Sequence, residues 1–189
     1  MAAGIWLAVA VMVAVPGCSS LEGDVDQSVY TPADESFEVR LPAGAKRGAV
    51  KEAGGGSAGQ VGFVGKGERS WQVQRCGKGA HYIARADTEL PLATRLLFAE
   101  AAWAELTGMV GRPVIGRDVL TMKDGRQAVL AVRRLGINPR SGLRGVLIFE
   151  TERYVWLLEF SDPALPDASL AEARRQLVEL YQGLTVHAG

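Results

Sequence analysis

The chain has 189 residues, 48% of them hydrophobic, and its 21 Lys and Arg balance 21 Asp and Glu. That balance argues against a protein built to bind nucleic acid, which carries a basic excess. The size allows one domain with a proper core.

An apolar run from Ile5 to Val15 is the length of a signal-peptide core and too short to span a bilayer. Val15-Pro16-Gly17 leads into Cys18, and two serines follow. Residues 18–35 are polar and acidic, which predicts a flexible tether. Phe37-Glu38-Val39-Arg40-Leu41 alternates strictly, so Phe37, Val39 and Leu41 share the buried face of a strand that Pro42 closes. Ala43 to Gly59 is rich in Gly, Ala and Ser and predicts a mobile loop. It does not read as a phosphate-cradling loop, because Gly65-Lys66 is followed by Gly67 where that motif needs Ser or Thr.

Strands are predicted around Val61–Val64, Trp71–Arg75 and Tyr82–Ala86. Trp71 and Val73 alternate with Gln72 and Gln74, so one face is wet. Thr88 is the expected cap of a first helix. Its predicted buried stripe is Leu92, Leu96, Ala99, Trp103, Leu106 and Val110, at alternating spacings of four and three. Asp124-Gly125 between two apolar runs predicts a hairpin. Leu143–Glu150 and Tyr154–Phe160 predict a second one around Thr151-Glu152-Arg153. These four strands form an antiparallel meander, and the last two are apolar on both faces, as in strands covered on both sides. Ser169-Leu170-Ala171-Glu172 predicts a capping box for a last helix whose stripe is Leu170, Ala173, Leu177, Leu180 and Leu184. The fold class expected is α+β. It is a single-domain sandwich over residues 36–187, an antiparallel meander covered by two amphipathic helices.

Val15-Pro16-Gly17-Cys18 resembles the lipobox of bacterial lipoproteins. The resemblance implies a signal peptide at 1–17, cleavage before Cys18 and lipid on Cys18. Ser19, in place of Asp, implies the outer membrane, facing the periplasm. The alternative is an ordinary secretory signal, or an apolar N-terminus with a chance cysteine. With Cys18 lipidated, Cys76 lacks an intramolecular partner and is expected to pack as a buried hydrophobe. The element order resembles the PsbP-like fold, carried by Phe37–Pro42, the Asp124-Gly125 hairpin, Tyr154–Phe160 and Leu170–Val186. That resemblance spans 35–186 and implies an α/β/α sandwich acting as an adaptor or accessory subunit.

No residue pattern points to catalysis, a metal or a cofactor. His81 has Asp87 and Glu89 nearby in sequence, but the spacing matches no metal-ligand pattern. Arg133, Arg134, Arg140 and Arg144, with Lys123 and Arg126, are candidates for a basic patch touching lipid headgroups or an acidic partner. The competing account is a sheet edge protected by charge. Trp71, beside the glycine-rich stretch, is the candidate for an exposed contact. The expected function is a non-catalytic, lipid-anchored envelope protein that binds a protein partner. The alternative is a small-ligand binder or hydrolase acting on envelope material, with a pocket near Trp71 and His81.

Overall fold

A computed structural model of the chain describes residues 23–26, 29–32, 34–47, 59–79 and 89–187. Cys18, His81, the Thr88 cap, the Tyr82–Ala86 strand and most of the glycine-rich stretch lie outside them. In chain order the first strands are β1 (Gly23–Asp26), β2 (Val29–Pro32), β3 (Phe37–Arg40), β4 (Lys46–Arg47), β5 (Gly59–Val64) and β6 (Ser70–Gly77). Helix α1 (Leu92–Leu106) follows, then β7 (Val114–Thr121), β8 (Gln127–Arg134), β9 (Leu143–Glu150) and β10 (Tyr154–Asp162). Helix α2 (Leu170–Gln182) and β11 (Leu184–Val186) end the fold.

The expected meander is present. Strands β7 to β10 pair consecutively and antiparallel within a seven-stranded sheet of order β4-β5-β6-β10-β9-β8-β7. Gly125 has φ +83°, the left-handed conformation that the first hairpin needs and that glycine adopts without steric cost. Alternation then sorts the central strands onto two faces. Leu147, Phe149, Trp156 and Leu158 point to one core, and Val146, Ile148, Val155 and Leu157 to the other. Helix α2 covers the first face and α1 the second. The α+β class is therefore the observed one.

Three elements differ from the sequence reading. The stretch expected to be a tether carries β1 and β2, which join β3 and β11 in a second sheet of order β1-β2-β3-β11. Tyr30 is fully buried there, with its ring 6.1 Å from Phe37 and 5.7 Å from Phe63. One aromatic in a polar segment carries no periodicity, and its partners are far away in sequence. The last helix stops at Gln182, and Leu184–Val186 instead pairs with β3. Ser169 precedes α2 but makes no side-chain cap, because it ends the short turn Asp167–Ser169 with φ −100° and ψ 23° rather than in the extended conformation of a capping residue.

The α1 stripe also needs correction. Leu96, Ala99 and Trp103 are buried as expected, but Leu106 and Val110 are 58% and 66% exposed. The helix ends at Leu106, beyond its seat on β8 and β9. Glu100 occupies the buried face instead, held by Arg133 (2.6 Å) and Arg117 (2.7 Å).

Candidate functional site

Strand β6 puts Trp71, Val73 and Arg75 on one face. Trp71 and Val73 are buried in the α2-side core, while Arg75 comes at the end of that row, under the turn between β2 and β3. There it meets Asp34 and Ser36. Its Nη2 donates to the Asp34 carboxylate and its Nη1 to the Ser36 hydroxyl, and its guanidinium lies 5.2 Å from the centre of the Tyr154 ring. Arg75 is only 7% exposed, and its Nε is buried with no hydrogen-bond partner.

The turn holding Asp34 is built locally. Glu35 has φ +49° and donates its N–H to the Pro32 carbonyl at 2.9 Å. Asp34 Oδ1 accepts from the Ser36 hydroxyl at 2.6 Å and from its N–H at 3.2 Å. Burial pushes the Asp34 carboxyl up. The hydrogen bonds from Ser36 and Arg75, with the Arg75 charge, outweigh it and hold the group below its usual range.

This turn, the β9–β10 hairpin and the end of β11 enclose a cleft of about 380 Å3. Its walls are Arg75, Tyr154 and Trp156 on the sheet, Asp34 and Ser36 on the turn, and Val186 at the chain end. Arg126, Arg153 and His187 stand at the mouth with Glu35 and Glu152, so the rim carries both signs. His187 is tied back by its N–H to the Ser36 carbonyl at 3.1 Å. Near the cleft, Tyr181 donates to Asp124 at 2.7 Å. Burial first, and that bond second, push the Tyr181 phenol up. The volume suits a small molecule or one peptide side chain. Chemically it offers one buried guanidinium, already engaged by a carboxylate, over the Tyr154 ring.

Among the described residues, no group of His, Cys, Asp and Glu is arranged to hold a metal. Also among them, no helix is long and apolar enough to cross a membrane.

The residues singled out from the sequence do not form one site. Trp71 is a correction: it is 2% exposed, and its indole N–H donates to Gln176 on α2 at 3.1 Å. Its place on the inward row of β6 requires that burial. The basic residues separate as well. Arg133 and Arg134 are consecutive on a strand and turn to opposite faces. Arg133 is buried on Glu100, and Arg134 binds the Asp167 carboxylate with both Nε and Nη2. Arg144 pairs with Glu159 at 2.7 Å, its guanidinium 5.8 Å from the Trp103 ring. Arg140 is exposed in the loop between β8 and β9. Each of Arg133, Arg134 and Arg144 holds a carboxylate, so together they make no free basic patch. Cys18 and His81 lie outside the described residues. Cys76 is buried in the α1-side core, as expected.

The cleft was not anticipated. One signal was available: Arg75 continues the apolar row Trp71–Val73, and a charge at an inward strand position needs a partner. Its partner Asp34 lies 41 residues away, in a segment that reads as polar tether.

The architecture is a PsbP-like α+β sandwich. It aligns with the solution structure of cyanobacterial PsbP (CyanoP) from Synechocystis sp. PCC 6803 at a TM-score of 0.54 and 14% identity. The match covers 89% of this chain and 98% of that one. A crystal structure from Bacteroides thetaiotaomicron VPI-5482 aligns at a TM-score of 0.49 and 12% identity, over 85% of this chain and 48% of that one. No protein-family model matches the chain. No curated protein matches it either. At these identities the likeness defines a fold, and a fold does not fix an activity.

Proposed function

We propose that the chain is a non-catalytic envelope protein, anchored by lipid on Cys18 at the periplasmic side of the outer membrane, that binds or helps assemble a protein partner. The observation that carries this reading is the chemistry of the cleft. Its buried charge is engaged in tying the small sheet to the large one: Arg75 is held by Asp34 and Ser36. That engagement gives the buried charge a structural use, because its hydrogen bonds join the turn before β3 to strand β6. The likeness to PsbP supports an accessory module on the same footing of fold.

The test is in-cell cross-linking of the tagged chain with mass spectrometry, beside a Cys18→Ala variant. The expected result is an acylated wild-type N-terminus and a stoichiometric protein partner that is reduced in Cys18→Ala. An unmodified Cys18, or no partner above background, overturns the reading. A second reading, a small-ligand binder, is favoured by the cleft itself. It requires a compound that raises the thermal midpoint of the wild type and fails with Tyr154→Ala.

A further inference from the structure

The cleft beside Arg75 has spare donors and few spare acceptors. Asp34 Oδ1 accepts twice from Ser36, and Asp34 Oδ2 accepts from Arg75. The Ser36 hydroxyl also accepts from Arg75, and the Thr151 hydroxyl accepts from the Trp156 indole at 3.2 Å. Among the described residues Arg75 donates once from Nη1 and once from Nη2, and its Nε is buried with no partner. A guanidinium carries more N–H groups than that engagement uses. Also among the described residues, the Tyr154 hydroxyl and the Arg153 guanidinium have no hydrogen-bond partner.

We propose that this cleft binds a small aromatic carboxylate. The proposal rests on the small-ligand reading of the cleft and names the ligand's chemistry. Three observations choose it. The first is the donor set. What the deep end lacks is an acceptor, and the charged donors there and at the mouth are guanidinium groups, which hold a carboxylate about twice as strongly as a neutral carbonyl. Of the nearby acids, Asp34 is already engaged, and Glu35 and Glu152 are exposed at the mouth, where water and salt screen them. The second is preorganisation. Asp34 and Ser36 hold the Arg75 guanidinium in place, 5.2 Å from the centre of the Tyr154 ring, so a ligand does not have to order it.

The third observation is shape. A cleft of about 380 Å3 is at the small end of ligand cavities. Tyr154, Trp156 and Val186 give it an apolar wall. A carboxylate on one ring with a short arm meets both the guanidinium and that wall. Inorganic phosphate meets only the guanidinium, and it brings roughly two charges to a cleft with a single buried cation. An amine finds the acceptors already taken.

The test titrates the purified full chain, labelled at its arginines with a heavy nitrogen isotope, with phenylacetate, phenylacetamide, phenethylamine and inorganic phosphate in turn. The readout is the set of arginine Nε–H signals. Phenylacetate should move the signals of Arg75 and Arg153 and leave that of Arg134, and it should bind about tenfold more tightly than phenylacetamide. Arg153 is exposed, so Arg153→Ala keeps the fold. It should weaken phenylacetate about threefold and leave phenylacetamide unchanged. Arg75→Lys should weaken phenylacetate about tenfold. If that variant does not fold, Tyr154→Phe, which removes only the hydroxyl, should weaken it about fivefold. Equal affinity for phenylacetamide, or tighter binding of phenethylamine or phosphate, overturns the carboxylate and leaves the small-ligand reading standing. No movement of the Arg75 and Arg153 signals with any of the four overturns both. Movement of the Arg134 signal to the same extent puts the binding elsewhere and overturns the proposal too.

Discussion

The two sides of the large sheet are closed in different ways. On the α2 side the cover is aromatic and aliphatic: Trp156 stacks on Phe149, Phe37 meets Trp156 edge-on at 5.3 Å, and Leu177 and Leu180 fill the rest. Outside it, α2 shows solvent a row of ion pairs. On the α1 side the cover is thinner and contains charge. Glu100 is 1% exposed between Arg133 and Arg117, and Glu159 is 4% exposed with Arg144. Outside it, α1 shows solvent Phe98 and Leu106. Charge is buried on both sides, because Arg75 and Asp162 on the α2 side are only 7% and 5% exposed. The contrast lies outside: α1 shows apolar side chains to solvent and α2 shows ion pairs, so the inward rows of the two helices obey one packing demand and their outward faces do not.

The largest way to break this comparison is at Glu100. Glu100→Ala leaves Arg133 buried without its carboxylate, and the loss should be about 3–5 kcal/mol by denaturant unfolding. A loss below ~1 kcal/mol would mean that the charges on the α1 side are not desolvated. The packing of the α2 side gives the next effect. Leu177→Ala should cost about 2–5 kcal/mol through the cavity it leaves. Gly145 sharpens it: a Cβ there would sit 2.8 Å from Leu177 Cδ1 and 3.3 Å from the Ala131 carbonyl oxygen. Gly145→Ala should therefore cost about 1–3 kcal/mol, and the double variant should lose less than the sum, because truncating Leu177 removes the clash. Strict additivity would contradict the close contact of α2 with β9.

Much of that contrast was legible in the sequence, and the reasons are local. The meander shows because each strand carries its own alternation and each hairpin its own turn. Trp103 and Leu177 fall on helical stripes that can be counted. What stayed hidden is non-local. Tyr30 finds its core through pairing with β3 and a chain end more than 150 residues away. Glu100 looks like one of the helix's solvent-facing acids until Arg133, 33 residues on, is brought beneath it. Arg75 was visible as a charge in an inward row, but its partner lay in a segment with no pattern. The stripe ran on to Val110 because periodicity counts residues and does not see where the sheet beneath the helix stops.

Acid pH separates the two ends of the charge inventory. Burial raises the Glu150 carboxyl, but the hydrogen bonds and charges of Arg95 and Lys78 bring it below its usual range. Asp34 is held low in the same sense. Carboxyls with depressed folded-state pKa values release protons that the unfolded chain still holds, so their stabilisation is fully present above the ordinary values of 3.8 and 4.5. It is lost as pH falls through the depressed values. Arg75→Ala and Arg95→Ala should each flatten the acid limb of the stability profile. An unchanged limb would contradict those pairings.

The smallest effects on stability belong to the outer surfaces. Phe98→Asp should leave the thermal midpoint unchanged, whereas Leu180→Asp, buried on the inward face of α2, should prevent folding. If Phe98→Asp unfolds the chain, the α1 surface is part of the core and the contrast between the helices collapses.

The most direct test of the account is hydrogen exchange on the full chain, wild type beside Arg75→Ala. The account predicts that amides of β2 and β3 lose protection in the variant while those of β8 and β9 do not change, because Arg75 ties the small sheet to the large one. Unchanged protection of β2 and β3 in Arg75→Ala would contradict it.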